Sequence, residues 1–171
     1  MGYAALKNTT TSSWNAGFGA YALYSNTTGA YNTAFGAQTL QSNTTASQNT
    51  AVGYQAGYTM TTNSGNTMVG YQAGYLATGG GDLFGYRAGY NNTGSGIAAF
   101  GTQALTANTS GSANTAMGIQ ALYSNTTASN NTAVGYQAGY SNTTGTSLVA
   151  IGYQSAYSNT TGNNNIGLGI Q

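Results

Sequence analysis

An apolar residue directly before a glycine recurs along the whole chain. Met1, Phe18, Phe35, Val52, Val69, Phe84, Phe100, Met117, Val134, Ile151 and Leu168 precede Gly2, Gly19, Gly36, Gly53, Gly70, Gly85, Gly101, Gly118, Gly135, Gly152 and Gly169. These glycines are 17 residues apart, except for gaps of 15 from Gly70 to Gly85 and 16 from Gly85 to Gly101. A period this regular predicts stacked coils, each too small to bury its own apolar face and therefore packed on its neighbours. Alternation before each glycine predicts a short strand. Its large apolar row, with the mostly β-branched row two residues earlier (Thr33, Thr50, Thr67, Thr115, Thr132), is expected to point inward. The row between them (Gly17, Ala34, Ala51, Met68, Leu83, Ala99, Ala116, Ala133, Ala150) is expected on the other face, where its mostly small residues would let another wall approach.

After each glycine the coil continues in further rows. Three residues on stand Ala22, Ala56, Ala73, Ala88, Ala104, Ala121 and Ala138, a sterically confined position. Where the next residue after the glycine is Tyr (Tyr54, Tyr71, Tyr86, Tyr136), the fourth is Gly; where it is Ala20, Ala37, Thr102 or Ile119, the fourth is Leu. Such an exchange is expected when two side chains share one space. A glutamine row (Gln38, Gln55, Gln72, Gln103, Gln120, Gln137, Gln154) and an asparagine row (Asn15, Asn32, Asn49, Asn66, Asn114, Asn131, Asn165) are expected to form amide ladders along the axis. Ser-Asn-Thr-Thr segments supply turn chemistry. The fold expected for residues 1–171 is therefore all-β, one parallel β-solenoid of about ten 17-residue coils. Its irregular stretch, 76–101, carries Asp82 and Arg87 and is read as two trimmed turns and a local ion pair, with a bend or a ligand notch as the alternative. Both chain ends fall mid-repeat, which suggests a segment of a longer array.

Composition narrows the chemistry. Lys7, Asp82 and Arg87 are the only charged residues, and the net charge is +1. That gives no field to attract nucleic acid or anionic lipid. Without Cys, His or Glu, and with one carboxylate, the chain lacks the cooperating groups that acid–base or nucleophilic catalysis requires, so no enzyme activity, catalytic residue, cofactor or metal site is expected. No apolar run is long enough for a membrane-spanning helix.

The Val149-Ala150-Ile151-Gly152 strand resembles the head repeat of YadA-like trimeric autotransporter adhesins, and Asn131-Thr132-Ala133-Val134-Gly135-Tyr136-Gln137-Ala138 is similar to repeats of bacteriophage tail fibres. The resemblance implies a left-handed β-roll, a homotrimer, and a place outside the cell, on a cell surface or on a virion. It leads to a non-catalytic fibre or shaft as the expected function. A glycan-coated filament polymerising end to end, and an adhesin head binding a carbohydrate or host surface, are the alternatives. For the first, Asn8, Asn26, Asn43, Asn91, Asn108, Asn125, Asn142 and Asn159 each begin an Asn-X-Ser/Thr triplet and are candidate glycosylation sites. For the second, Tyr24, Tyr58, Tyr75, Tyr123, Tyr140 and Tyr157 form a candidate surface row for stacking on sugars. Ice binding is disfavoured because the strand threonines are expected to face inward.

Overall fold

The computed structural model describes residues 2–171; Met1, expected to open the apolar row, lies outside them. Ten short strands form one parallel sheet in sequence order: β1 (Ala16–Phe18), β2 (Thr33–Phe35), β3 (Thr50–Val52), β4 (Thr67–Val69), β5 (Gly81–Phe84), β6 (Ile97–Phe100), β7 (Thr115–Met117), β8 (Thr132–Val134), β9 (Val149–Ile151) and β10 (Ile166–Leu168). Each row of the repeat stacks on itself: Phe18 pairs with Phe35, Ala133 with Ala150, and Val134 with Ile151. The 15- and 16-residue coils keep this register, with Met68 opposite Leu83 and Leu83 opposite Ala99. Inter-coil bonding continues beyond the strands, as in Gln38 N–H to Ala20 O (2.7 Å) and Leu40 N–H to Ala56 O (3.0 Å). Parallel β-solenoid architecture thus follows from the period.

The glycine ending each strand is required twice over. Gly135 has φ +133°, outside the range of ordinary L-residues, and a Cβ there would lie 2.4 Å from Gly152 O in the next coil. Two and four residues later the chain again turns left-handed, at Gln137 (φ 53°) and Gly139 (φ 61°), and elsewhere even at Leu122 (φ 50°). A leucine is held in this conformation because its side chain is fully buried. Burial of a leucine stabilises by roughly 1.5–3 kcal/mol, enough to offset the ~1–2 kcal/mol left-handed cost.

The strand faces are reversed from the expectation. Ala34, Ala51, Met68, Leu83, Ala99, Ala116, Ala133 and Ala150 fill the interior, whereas Phe35 is 58% exposed and Ile151 43% exposed. Strand threonines turn outward with them; Thr33 and Thr50 are exposed. The reason is width. The interior must also hold Leu23, Leu40, Leu105 and Leu122 from the opposite wall, all fully buried, and there is no room for a stacked row of phenylalanines.

The Tyr/Gly and small/Leu exchange also has a different basis. Tyr54, Tyr71 and Tyr136 point outward and do not share space with the fourth residue. The space left by its glycines is taken by larger neighbours within the core: a Cβ at Gly57 would lie 2.8 Å from Met68 Cε, at Gly89 2.6 Å from Leu83 Cδ2, and at Gly139 within 3.2 Å of both Leu122 and Leu148. Conversely, Gly17 accommodates Leu6. Volume is conserved, but across the interior.

Candidate functional site

Three features of the surface and core bear on function: an uncovered apolar sheet face, buried asparagine ladders, and tyrosine ladders beside a glutamine ladder.

The outer sheet face presents Phe18, Phe35, Phe100, Met117, Ile151 and Leu168 as exposed side chains, continuous with half-buried Val52, Val69, Phe84 and Val134. Phe18 and Phe35 lie 5.8 Å apart, and Phe84 and Phe100 stack at 4.7 Å. Beside them run the exposed Tyr54, Tyr71, Tyr86, Tyr136 and Tyr153. Ten strands at about 4.8 Å, and a width of roughly 15–20 Å, make this face on the order of 700–1,000 Å². Monomeric proteins rarely leave so large an apolar patch uncovered. The outward threonines form one row beside an apolar row rather than paired threonine rows, so the premise against ice binding is overturned while no flat double threonine array results.

The candidate glycosylation row is corrected by its position. Asn26, Asn43, Asn108, Asn125 and Asn142 are fully buried, and their amide nitrogens are already donated. Asn43 Nδ2 bonds Asn26 Oδ1 (2.7 Å), Asn125 Nδ2 bonds Asn108 Oδ1 (2.7 Å) and Asn142 Nδ2 bonds Asn125 Oδ1 (3.1 Å). Each also bonds a turn carbonyl three residues on, such as Ala128 O from Asn125 (3.0 Å). A glycan would have to replace one of these hydrogens and enter the core. Asn159 is half-buried with the same two bonds; Asn8 is exposed and Asn91 half-buried. This row, rather than the one running from Asn15 to Asn165, is the main amide-to-amide ladder. The other row mainly serves the backbone: Asn114 Nδ2 bonds Ala128 O and its Oδ1 accepts Asn131 N–H. A signal was present in the sequence, since Met60 and Ala77 replace the asparagine in two coils, apolar residues that suit a buried position. Met60 has no donor for Asn43 Oδ1, which is buried and unpaired.

Tyr58, Tyr75 and Tyr90 stack at 5.1 and 5.2 Å, and Tyr123, Tyr140 and Tyr157 at 5.1 Å throughout. Tyr24 instead meets Tyr21 edge-on at 5.5 Å, with Lys7 Nζ over its ring. Ring faces within these stacks are covered by neighbouring rings and are not open to a sugar. Partial desolvation, then the neighbouring phenols, raises the pKa of the central Tyr75 and Tyr140 above the usual 10. Alongside, the glutamines form the expected ladder: Gln55 Nε2 to Gln38 Oε1 (2.9 Å), Gln72 to Gln55 (2.8 Å), Gln137 to Gln120 (2.8 Å) and Gln154 to Gln137 (2.8 Å). Arg87 joins it, donating Nε–H to Gln72 Oε1 (3.0 Å) and lying 4.9 Å from the centre of the Tyr90 ring. Asp82 stands exposed on β5, so the expected Asp82–Arg87 ion pair is replaced by amide and ring contacts.

Among the described residues no cluster of His, Cys, Asp or Glu could hold a metal, and no helix is long and apolar enough to cross a membrane. No family model, curated protein or solved structure matches this chain.

Proposed function

We propose that the chain is a structural element of a fibre or shaft, assembled from copies of itself through the outer sheet face, with three chains around a common axis. The observation that carries this reading is the continuous outward apolar row from Phe18 to Leu168, exposed at six of its ten positions and half-buried at the other four. On the order of 800 Å² per chain is what a stable protein interface buries, and this face offers about that in all, shared between the two neighbours of each chain. It is nearly free of charge: Asp82 is the single carboxylate on it, so parallel copies meet like charge at one level of the stack only. A straight apolar strip on each chain is suited to parallel association, and the rigid stack of coils supplies length. The work of such an element is mechanical; catalysis has no part in it. Its place in this reading is outside the cell, on a cell surface or on a virion, and it needs neither nucleic acid nor membrane insertion.

The test is the molar mass in solution, by light scattering after size exclusion. A trimer has about 52 kDa, three times 17.2 kDa. Val134→Lys and Phe100→Lys place charges in the outer face while leaving the interior row untouched, and are expected to shift the mass to 17.2 kDa with the circular dichroism spectrum retained. A wild-type chain that stays at 17.2 kDa at concentrations of about 100 μM refutes the reading, since an interface of this area is expected to hold well below that.

A further inference from the structure

On the wall next to the sheet face, the coil anchored at Gly101 interrupts two ladders at once. In the tyrosine row, the register runs Tyr58, Tyr75, Tyr90, Thr106, Tyr123, Tyr140, Tyr157: Asn91 N–H bonds Thr106 O and Ala107 N–H bonds Tyr123 O, so Thr106 occupies the rung between two stacks of three rings. With rungs 5.1–5.2 Å apart, the Tyr90 and Tyr123 rings are separated by about two rungs, roughly 10 Å. That leaves room for one planar ring of ~3.5 Å thickness in stacking contact with both. Thr106 does not fill it with a competing polar group, because its hydroxyl is engaged by Gln103 O (2.9 Å) and Arg87 O (3.3 Å).

The glutamine ladder breaks at the same place. Each ladder glutamine donates Nε2–H to the Oε1 of the coil before it, but the residue before Gln103 is Arg87, which has no acceptor. Gln103 Oε1 receives Gln120 (3.1 Å), while Gln103 Nε2 finds no acceptor among the described residues. Arg87 uses Nε toward Gln72, and its guanidinium lies over the Tyr90 ring, 4.9 Å from its centre. The vacant rung is therefore flanked by an unpaired amide donor and a cation. We infer that this cleft binds a planar aromatic carboxylate, its ring between Tyr90 and Tyr123 over Thr106 and its carboxylate accepting from Gln103 Nε2 and Arg87. This inference stands apart from the fibre reading, since neither ladder lies on the sheet face.

Two substitutions restore the repeat and so leave the fold intact: Thr106→Tyr, which the Leu122-Tyr123 coil shows to be compatible with the preceding Leu105, and Arg87→Gln, the residue in the neighbouring coils. The probe is 2-naphthoate, titrated into the intact chain by equilibrium dialysis with 2-naphthamide as the neutral control. Wild type is expected to bind one naphthoate per chain with a dissociation constant of about 0.1–1 mM, in the range that a small ring ligand reaches. T106Y is expected to weaken binding at least tenfold by filling the rung; R87Q and the amide are each expected to weaken it about three- to tenfold. Equal binding of naphthoate and amide, with R87Q neutral but T106Y blocking, overturns the carboxylate assignment. Absence of saturable binding up to 10 mM, or binding unchanged in T106Y, overturns the cleft itself.

Discussion

Replacing Asn125 by Asp changes one NH₂ to oxygen at almost constant volume, in a side chain with no exposed surface. The native Nδ2 donates to Asn108 Oδ1 (2.7 Å) and Ala128 O (3.0 Å), and Oδ1 receives Asn142 Nδ2 (3.1 Å). In N125D both donations become contacts between acceptors. Ala128 O keeps its bond from Asn114, but Asn108 Oδ1 loses its donor. Protonated, the new carboxyl can still donate once, so the cost at pH 3 is that of one lost bond, about 1–2 kcal/mol. Ionised, it is a buried charge with no cation, and its folded-state pKa must rise by several units. A raised folded pKa means that the unfolded chain releases its proton first. Stability is then full below the unfolded value of ~3.9 and drains away as pH climbs toward the folded value. If that value exceeds 7, the additional loss at pH 7 is about 4 kcal/mol, three units at 1.36 kcal/mol each. N125A, which loses the same bonds and leaves a small cavity, is expected to cost about 3 kcal/mol at either pH. Chemical denaturation followed by circular dichroism at pH 3 and pH 7 separates the two. The background is quiet, because without His or Glu the chain has Asp82 as its only side-chain carboxylate. N125D equal to wild type at pH 7, or destabilised by the same amount at both pH values, refutes the ladder as a buried, mutually satisfied network.

Two further measurements probe other rows. Gly135→Ala, at φ +133° and against Gly152 O, is expected to cost at least 3 kcal/mol or prevent folding, whereas Gly65→Ala, at φ +74° with open space around it, is expected to cost about 1 kcal/mol; equal melting temperatures would show that the coils do not approach at Gly135 as closely as described. Because the phenol pKa values of Tyr75 and Tyr140 are raised above 10, the unfolded chain deprotonates first, and stability is expected to fall as pH rises from about 10 through the folded values. Absorbance at 295 nm is expected to show Tyr75→Phe and Tyr140→Phe each removing a late-titrating phenol; variants that remove an early one would refute the stack's effect on ionisation.

The period of 17, with its 15- and 16-residue exceptions, was enough to obtain the solenoid, its ten strands and the stacking of like on like, because a parallel stack in register carries every repeated position into a row. The glutamine ladder followed for the same reason. Which side of the strand faced inward did not follow. Alternation is symmetric between the two faces, and hydrophobicity favoured the Phe and Val row; the decision was made by the leucines of the opposite wall, which left the interior wide enough for alanine but not for phenylalanine. The same closeness of the walls decided the asparagines. Asn125 and its equivalents read locally as good turn formers and modification triplets, yet the turn folds their amides into the core, where only a neighbouring coil can supply the second partner. Thr106 and Gln103, unremarkable in their own coil, became a cleft only once stacking set Tyr90 on one side and Tyr123 on the other. Sequence fixes the rows because register preserves them; the tertiary structure assigns their direction because that depends on the volume enclosed between two walls.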